Sequence, residues 1–333
     1  MTARFDLLVV GDANPDVVLH GAPSELAFGQ AEQLAESGAL TVGGSAAITA
    51  CAAARLGLRT ALVSVVGDDA GGRFMLDELE RRGVDTAGVA RGSAWRTGLT
   101  VALARGEDRA IVTSPGCIDE LHAGQVGAGL LSSARHVHIG SFFLQPRLAA
   151  GLADLFAAAH AAGATTSLDL NWDPSGRWDG GLAAVLPAVD VLFVNAAEAA
   201  AVSGAADPAV AATVLAARGP LPVIKLGAAG ALAHDGCRLA SVSAPDADVA
   251  DTVGAGDSFD AGFICARLMG WEVGRSLALA VAVGSLSTRA AGGVDAQPTR
   301  EKALTLVAGL VPGGATSGAP PAGSSPPAPE CGR

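Results

Sequence analysis

The stretch Asp251-Thr-Val-Gly-Ala-Gly-Asp257-Ser-Phe-Asp-Ala-Gly-Phe-Ile-Cys-Ala-Arg-Leu-Met-Gly270 is the most informative segment of the chain. Phe259, Phe263, Ala266 and Met269 recur at helical spacing and Gly270 stops the run. A helix is therefore expected from near Asp257, with Gly254-Ala255-Gly256 as its approach. Three small residues in a row leave their N–H groups bare at the positive end of a helix dipole, where negative charge is stabilised. A phosphoryl group in transit carries such charge, and Asp257 on the first turn is placed to accept a proton from an attacking hydroxyl. An Asp N-cap after a glycine loop is a common structural feature. The upstream Asp251-Thr252 and the density of small residues favour the chemical reading.

Outward from this helix the chain alternates short β-rich runs with Ala-rich helical stretches. Strands are expected at Phe5–Val10, Ala61–Val66, His136–Gly140, Thr165–Leu170, Val191–Asn195 and Pro222–Leu226. Helices are expected at Ser45–Leu56, Gly72–Arg82, Leu148–Ala162 and Pro208–Arg218, followed by Gly57, Gly83, Gly163 and Gly219. The alternation predicts an α/β fold with a doubly wound, largely parallel sheet. Two segments break it. Thr97–Leu103 and Arg109–Ser114 read as a hairpin, and 17–42 is too long for an ordinary strand–helix connection. Both are read as pieces of one discontinuous β-lid. The resulting division is a nucleotide- and substrate-binding core (1–13, 43–91 and 119–311), a lid (14–42 and 92–118) and a Gly/Ala/Ser/Pro tail (312–333) expected to be disordered.

The chain has 333 residues, half of them hydrophobic, so a sizeable core is available without disulfides or a structural metal. Its 33 acidic against 22 basic residues give a net charge of −11, which disfavours nucleic acid and anionic membranes as partners. Five widely spread cysteines, with no C-x-x-C pair, read as reduced intracellular thiols. Asp6 interrupts any signal-peptide core, and no run of apolar residues is long enough to span a bilayer. A soluble cytoplasmic protein is expected.

Ligands of open α/β sheets bind beyond the carboxyl ends of the strands. After the first strand, Gly11-Asp-Ala-Asn14-Pro-Asp16 is no dinucleotide fingerprint. Asn14 and Asp16 offer a donor and an acceptor for a polyol, or else form a simple turn. Gly43-Gly44 precedes a helix and permits close approach of a ligand or of backbone. His136 and His138 share a strand face but have no third ligand, which favours a structural role. Ser141 and Gln145 follow the same strand as candidate substrate contacts. Asn171 and Arg177 lie in a later loop, where Arg177 would suit a carboxylated sugar but reads better as surface.

Asp-Thr-Val-Gly-Ala-Gly-Asp with Ser-Phe-Asp-Ala-Gly-Phe-Ile resembles the C-terminal signature of the ribokinase-like (PfkB) carbohydrate kinases. Gly43, Gly44, Ala46, Ala50, Gly57 and Gly67 resemble the N-terminal one, with Ile48 where the family usually has Asn. The resemblance spans most of residues 5–300. It implies an α/β sandwich with a small β-lid and ATP-dependent phosphorylation of a hydroxymethyl group, with Mg²⁺ and K⁺ as ions. The acceptor would be a small sugar (ribose, fructose or keto-deoxy sugar acid), and the chain a homodimer through the lid. The implied base is Asp257, with an anion hole from Gly254, Ala255 and Gly256. Implied sugar contacts are Asn14, Asp16, Gly43 and Gly44, to which the loop reading adds Gln145 and Asn171. Asn195 and Glu198 match the pair that orders Mg²⁺ waters, making Glu198 a metal residue. Lys225-Leu-Gly227-Ala-Ala-Gly230 matches a nucleotide stretch, with Lys225, Gly227 and Gly230 as contacts, and Asp251 matches a position that helps to bind a monovalent cation. The late helix, 277–288, lacks the Asn that many relatives place near adenine. A nucleoside kinase, or a catalytically silent sugar-binding protein on the same fold, are the alternatives.

Overall fold

A computed structural model describes residues 3–23, 25–105, 108–246 and 248–310, so the expected tail at 312–333 lies outside the described residues. Nine strands form one sheet, in the order β13-β12-β11-β10-β9-β8-β1-β4-β5. In chain order these are β1 (Phe5–Val10), β4 (Thr60–Gly67), β5 (Asp85–Gly92), β8 (Ala134–Ile139), β9 (Thr165–Asp169), β10 (Val191–Asn195), β11 (Leu221–Lys225), β12 (Ala231–His234) and β13 (Leu239–Val242). The seven strands from β11 to β5 are parallel, and β12 and β13 add an antiparallel edge. A second sheet, β3-β2-β6-β7, comprises β2 (Asn14–His20), β3 (Ser37–Gly43), β6 (Leu99–Arg105) and β7 (Asp108–Ser114).

Alternation along β1 serves two cores at once. Leu7 and Val9 enter the core under α1 (Ser45–Arg55), α2 (Ala70–Arg81), α9 (Ala255–Leu268), α10 (Val273–Ser287) and α11 (Arg300–Val307). Leu8 and Val10 enter the core on the opposite face. That face carries the shorter helices α3 (Ala128–Leu131), α4 (Pro146–Ala149), α5 (Leu152–Ala161), α6 (Leu182–Val185), α7 (Ala196–Ser203) and α8 (Pro208–Ala216). A strand buried on both faces can be apolar throughout, as β1 nearly is. From β1 the chain moves outward through β4 to β5, then restarts on the other side at β8. The order therefore reverses between β1 and β8, which opens a crevice at their carboxyl ends.

Three expectations need correction. The helix expected over 148–162 is two, α4 and α5, because Gly151, a poor helix former, interrupts it. Asn14-Pro-Asp16 does not turn but opens β2, where Asp16 pairs with Thr41 of β3 and Thr100 of β6. The helix expected from Asp257 starts at Ala255, because Gly254, with φ 69°, makes the turn alone and lets Ala255 and Gly256 join the first turn. Cys51, Cys117 and Cys265 are free and buried. Among the described residues, no single helix is long and apolar enough to cross a membrane.

Candidate active site

The crevice between β1 and β8 is closed at its floor by Asp12, whose buried carboxylate spans three elements. One oxygen accepts the Ala46 amide (3.0 Å); the other accepts the Ser45 amide (3.2 Å) and the Ser141 hydroxyl (2.9 Å). Asp12 thus caps the N-terminus of α1 from another part of the chain. Burial pushes its carboxyl upward, against these donors. Asn171, in the loop after β9, donates from Nδ2 to the Ser141 hydroxyl at 3.1 Å, linking that loop to the β8 loop. Both Ser141 and Asn171 hold positive φ, at 57° and 55°.

At the start of β2, Asn14 donates from Nδ2 to Asp16 Oδ1 (3.0 Å) and to the Thr100 hydroxyl (3.1 Å). Burial, with the Asp12 charge nearby, pushes Asp16 up to about 7. The glycine pair makes room for these two acids. A methyl group on Gly43 would lie 1.8 Å from Asp16 Oδ1, and one on Gly44, at φ 84°, would lie 2.7 Å from the Asp12 carbonyl oxygen.

Asp257 is the third residue of α9. Its Oδ1 accepts the Ser45 hydroxyl at 2.5 Å, which joins the first turns of α1 and α9. Burial pushes its carboxyl up to about 7, and the Asp169 charge adds to this while Lys225 opposes it. Around it, the N–H groups of Gly254, Gly256 and Asp257 find no acceptor among the described residues; that of Ala255 turns back to the Thr252 carbonyl at 3.3 Å. The side chain of Ile48 packs against Gly254 and Gly293 and helps to hold this turn.

Lys225, expected beside the nucleotide, points into the floor instead. Its Nζ lies 2.6 Å from Asp169 Oδ2 and 3.1 Å from Asp260 Oδ2, because a nearly buried ammonium at the end of β11 must find counter-charges. Gly227 and Gly230 form the β11–β12 connection with positive φ, and a methyl group on Gly230 would lie 2.0 Å from the Val242 carbonyl oxygen. The turn by itself therefore accounts for Gly230. Asn195 and Glu198 form a capping box on α7: Asn195 donates from its amide (2.9 Å) and from Nδ2 (2.6 Å) to the Glu198 carboxylate, and Glu198 N–H returns to Asn195 Oδ1 (2.9 Å). Burial and the Asp169 charge push Glu198 up to about 7.

Two further expected ligands have bonds of their own. Both carboxylate oxygens of Asp251 accept amides, from Val253 (2.9 Å) and Gly292 (2.9 Å), so it braces two loops, with one lone pair left on each oxygen. Gln145 is fully buried and donates to the Gly140 (2.7 Å) and Ser141 (3.1 Å) carbonyls, which leaves it no surface for a substrate. Arg177 is exposed, 3.8 Å from Asp179. His136 and His138 bond the hydroxyls of Thr165 and Ser167, and burial drives both well below the usual histidine range. Their role is structural. Asp12, Ser45, Asp169 and Asp260 escaped the sequence reading. Asp12 and Asp260 stand inside stretches quoted for other residues, so position in a motif was the only available signal.

A largely parallel, doubly wound sheet, with an acid and free amides at a helix N-terminus over its switch point, defines the ribokinase-like class. The profile of the pfkB family carbohydrate kinases matches residues 4–300, and the chain belongs to that family. It is accordingly a phosphotransferase with an alcohol group as acceptor. It is 32% identical over 297 residues to the ATP-dependent ribose-1-phosphate kinase of Halopiger xanaduensis (89% of this chain, 95% of that one). It is 31% identical over 280 residues to the 2-dehydro-3-deoxygluconokinase of Bacillus subtilis (79% and 86%). Among solved structures, the Arabidopsis thaliana ribokinase complexed with ribose and ATP superimposes with a TM-score of 0.78 at 24% identity (92% and 99% covered). An Escherichia coli putative ribokinase II in complex with ATP and Mg²⁺ does so with 0.78 at 22% (91% and 99%).

Proposed function

We propose that this kinase transfers the γ-phosphoryl group of ATP to a hydroxymethyl group of a small, uncharged sugar. The reading rests on one observation: a carboxylate with its ionisation near neutrality, Asp257, stands in a helix turn beside amides that have no acceptor among the described residues. Phosphoryl transfer needs positioning and charge stabilisation more than covalent chemistry. Asp257 takes the proton of the attacking hydroxyl while the amides of residues 254–257 stabilise the charge developing on the transferred group. Asn14 and Asp16 bind sugar hydroxyls. Asp12, Asp16 and Asp257 line this pocket with hydrogen-bonding groups for hydroxyls, and the exposed Arg177 offers no clamp for a carboxylate, so a neutral polyol is favoured over a sugar acid or sugar phosphate.

Mg²⁺ fits the donor set, since Glu198 is a buried carboxylate crowded by the Asp169 charge and a cation would relieve that crowding. Held through water by Glu198, it would neutralise phosphate charge. The sheet of β2, β3, β6 and β7 would act as the lid over the cleft, and the remainder as the core. Its exposed Leu40, Ile111 and Val112, with Phe28 in the β2–β3 connection, support a homodimer through the lid.

An ADP-coupled assay over ribose, fructose, ribose 1-phosphate, 2-keto-3-deoxygluconate and nucleosides, with and without K⁺, tests the reading. Neutral sugars should give the highest kcat/KM, and Asp257→Asn should lower kcat at least about 10³-fold with sugar binding retained. Preference for an anionic sugar would overturn the substrate class, and an active Asp257→Asn the assigned base.

A further inference from the structure

Lys225 ends β11, yet its ammonium reaches past the end of β10 to Asp169 on β9 and, at the same time, up to Asp260 on α9. Asp260 stands three residues after Asp257, one turn further along the same helix face. The contact continues into the turn that carries the free amides: a methyl group on Gly256 would meet Lys225 Nζ at 3.4 Å. One oxygen each of Asp169, Asp257 and Asp260 lies within 4.8 Å of the others. The ammonium therefore lies beneath the first turn of α9 and touches helix and sheet together.

Charge counting constrains this cluster. One ammonium contacts two buried carboxyls, Asp169 at 3% and Asp260 at 0% exposure. It can balance one of them, and an unbalanced buried charge is costly, so the other keeps its proton. Asp260 is that group. Its Oδ1 is buried without a partner, whereas Asp169 also accepts the Asn171 amide at 2.9 Å. Burial raises Asp260 well above the usual carboxylate range; at Asp169 burial is the largest single influence, but the Lys225 charge together with hydrogen bonds from Asp260, Lys225 and the Asn171 amide outweighs it and keeps the carboxyl below that range. A proton held by Asp260 and shared with Asp169 then closes a neutral ring of three side chains.

We infer that Lys225 is a positioning residue of the phosphoryl-transfer site: its ammonium clamps the first turn of α9 to the ends of β9 and β11 and cancels the Asp169 charge beneath Asp257. The inference rests on the reading of Asp257 as the base. It departs from the nucleotide contact that the K-x-G-x-x-G pattern implies, because the ammonium has its bonding partners in the floor of the base.

The test compares Lys225→Met, Asp260→Asn, Asp260→Ala and Asp257→Asn in the full chain, with kcat and both KM values measured on the best sugar and nucleotide binding followed by calorimetry. Loosening a catalytic turn by a fraction of an ångström costs roughly 10- to 100-fold in rate, so Lys225→Met and Asp260→Ala should each lose that much kcat with both KM values within about threefold. Asp260→Asn mimics the neutral acid and should stay within about threefold of wild type. The Lys225→Met/Asp260→Ala pair should be no slower than Lys225→Met, since both break one clamp. A rise in the KM and Kd for ATP with kcat preserved in Lys225→Met would overturn the inference in favour of a nucleotide contact. So would an Asp260→Asn variant as slow as Asp260→Ala. Should Lys225→Met fail to fold, the Asp260 pair decides alone. Wild-type kcat in Lys225→Met beside an inactive Asp257→Asn removes only this inference; an active Asp257→Asn removes the base and this inference with it.

Discussion

The Ser45 hydroxyl donates to Asp257 Oδ1 at 2.5 Å, and with the Thr49 hydroxyl, which donates to the Asp257 carbonyl at 3.3 Å, it joins the N-terminal turns of α1 and α9. Ser45 and Asp257 stand 212 residues apart in the chain. In the free enzyme the Ser45 hydroxyl holds the oxygen that would receive a substrate proton, and it favours the ionised base.

Activity should follow the ionisation of Asp257. Its carboxyl titrates at about 7, raised by burial, and only the ionised form accepts a proton. The kcat/KM value should therefore climb with pH through about 7. Ser45→Ala removes a donor that favours the charged form, and the limb should move upward by about one pH unit. Rate profiles between pH 5.5 and 8.5 check both; an unmoved limb in Ser45→Ala would show that the bond does not tune the base.

Gly43→Ala should raise the KM for sugar at least about tenfold, because its methyl group would occupy the position of Asp16 Oδ1 and force that acid to move. Gly254→Ala should instead lower kcat, since a residue at φ 69° whose methyl group would lie 2.7 Å from Gly293 Cα cannot keep the turn. Steady-state constants for the two variants separate the effects.

Stability should fall as the pH rises from about 5 to 8. Asp12, Asp16, Glu198, Asp257 and Asp260 all have raised carboxyls, so over this window the folded chain binds more protons than the unfolded one. His136 and His138, lowered by burial, act in the opposite sense up to about pH 6.5, but they are two groups against five. Urea midpoints at pH 5.5 and 8 test the sign: the midpoint at pH 8 should be the lower.

Charged substitution on β7, an edge strand of the second sheet, should yield monomers. Ile111 and Val112 are exposed at 55% and 66%, and Ile111→Asp with Val112→Asp would place two carboxylates in the proposed contact. Light scattering after size exclusion reads the mass; a wild-type chain that is already monomeric rejects the dimer.

Local pattern carried much of the architecture. The alternation of apolar runs, Ala-rich helices and terminal glycines located six strands of the large sheet to within a residue or two at most ends, because burial on both faces leaves an uninterrupted apolar signature. The glycine turn before α9 and Asp257 within it were also legible, since three small residues before a helical period have a local meaning. Partnerships were not. Asp12 under α1, Ser45 on Asp257 and Lys225 between Asp169 and Asp260 each join residues dozens to hundreds of positions apart. The same holds for Asp251, whose carboxylate reaches the Gly292 amide 41 residues on. A carboxylate's role depends on what desolvates and neutralises it, and those neighbours exist only once the strands have paired and the helices have packed.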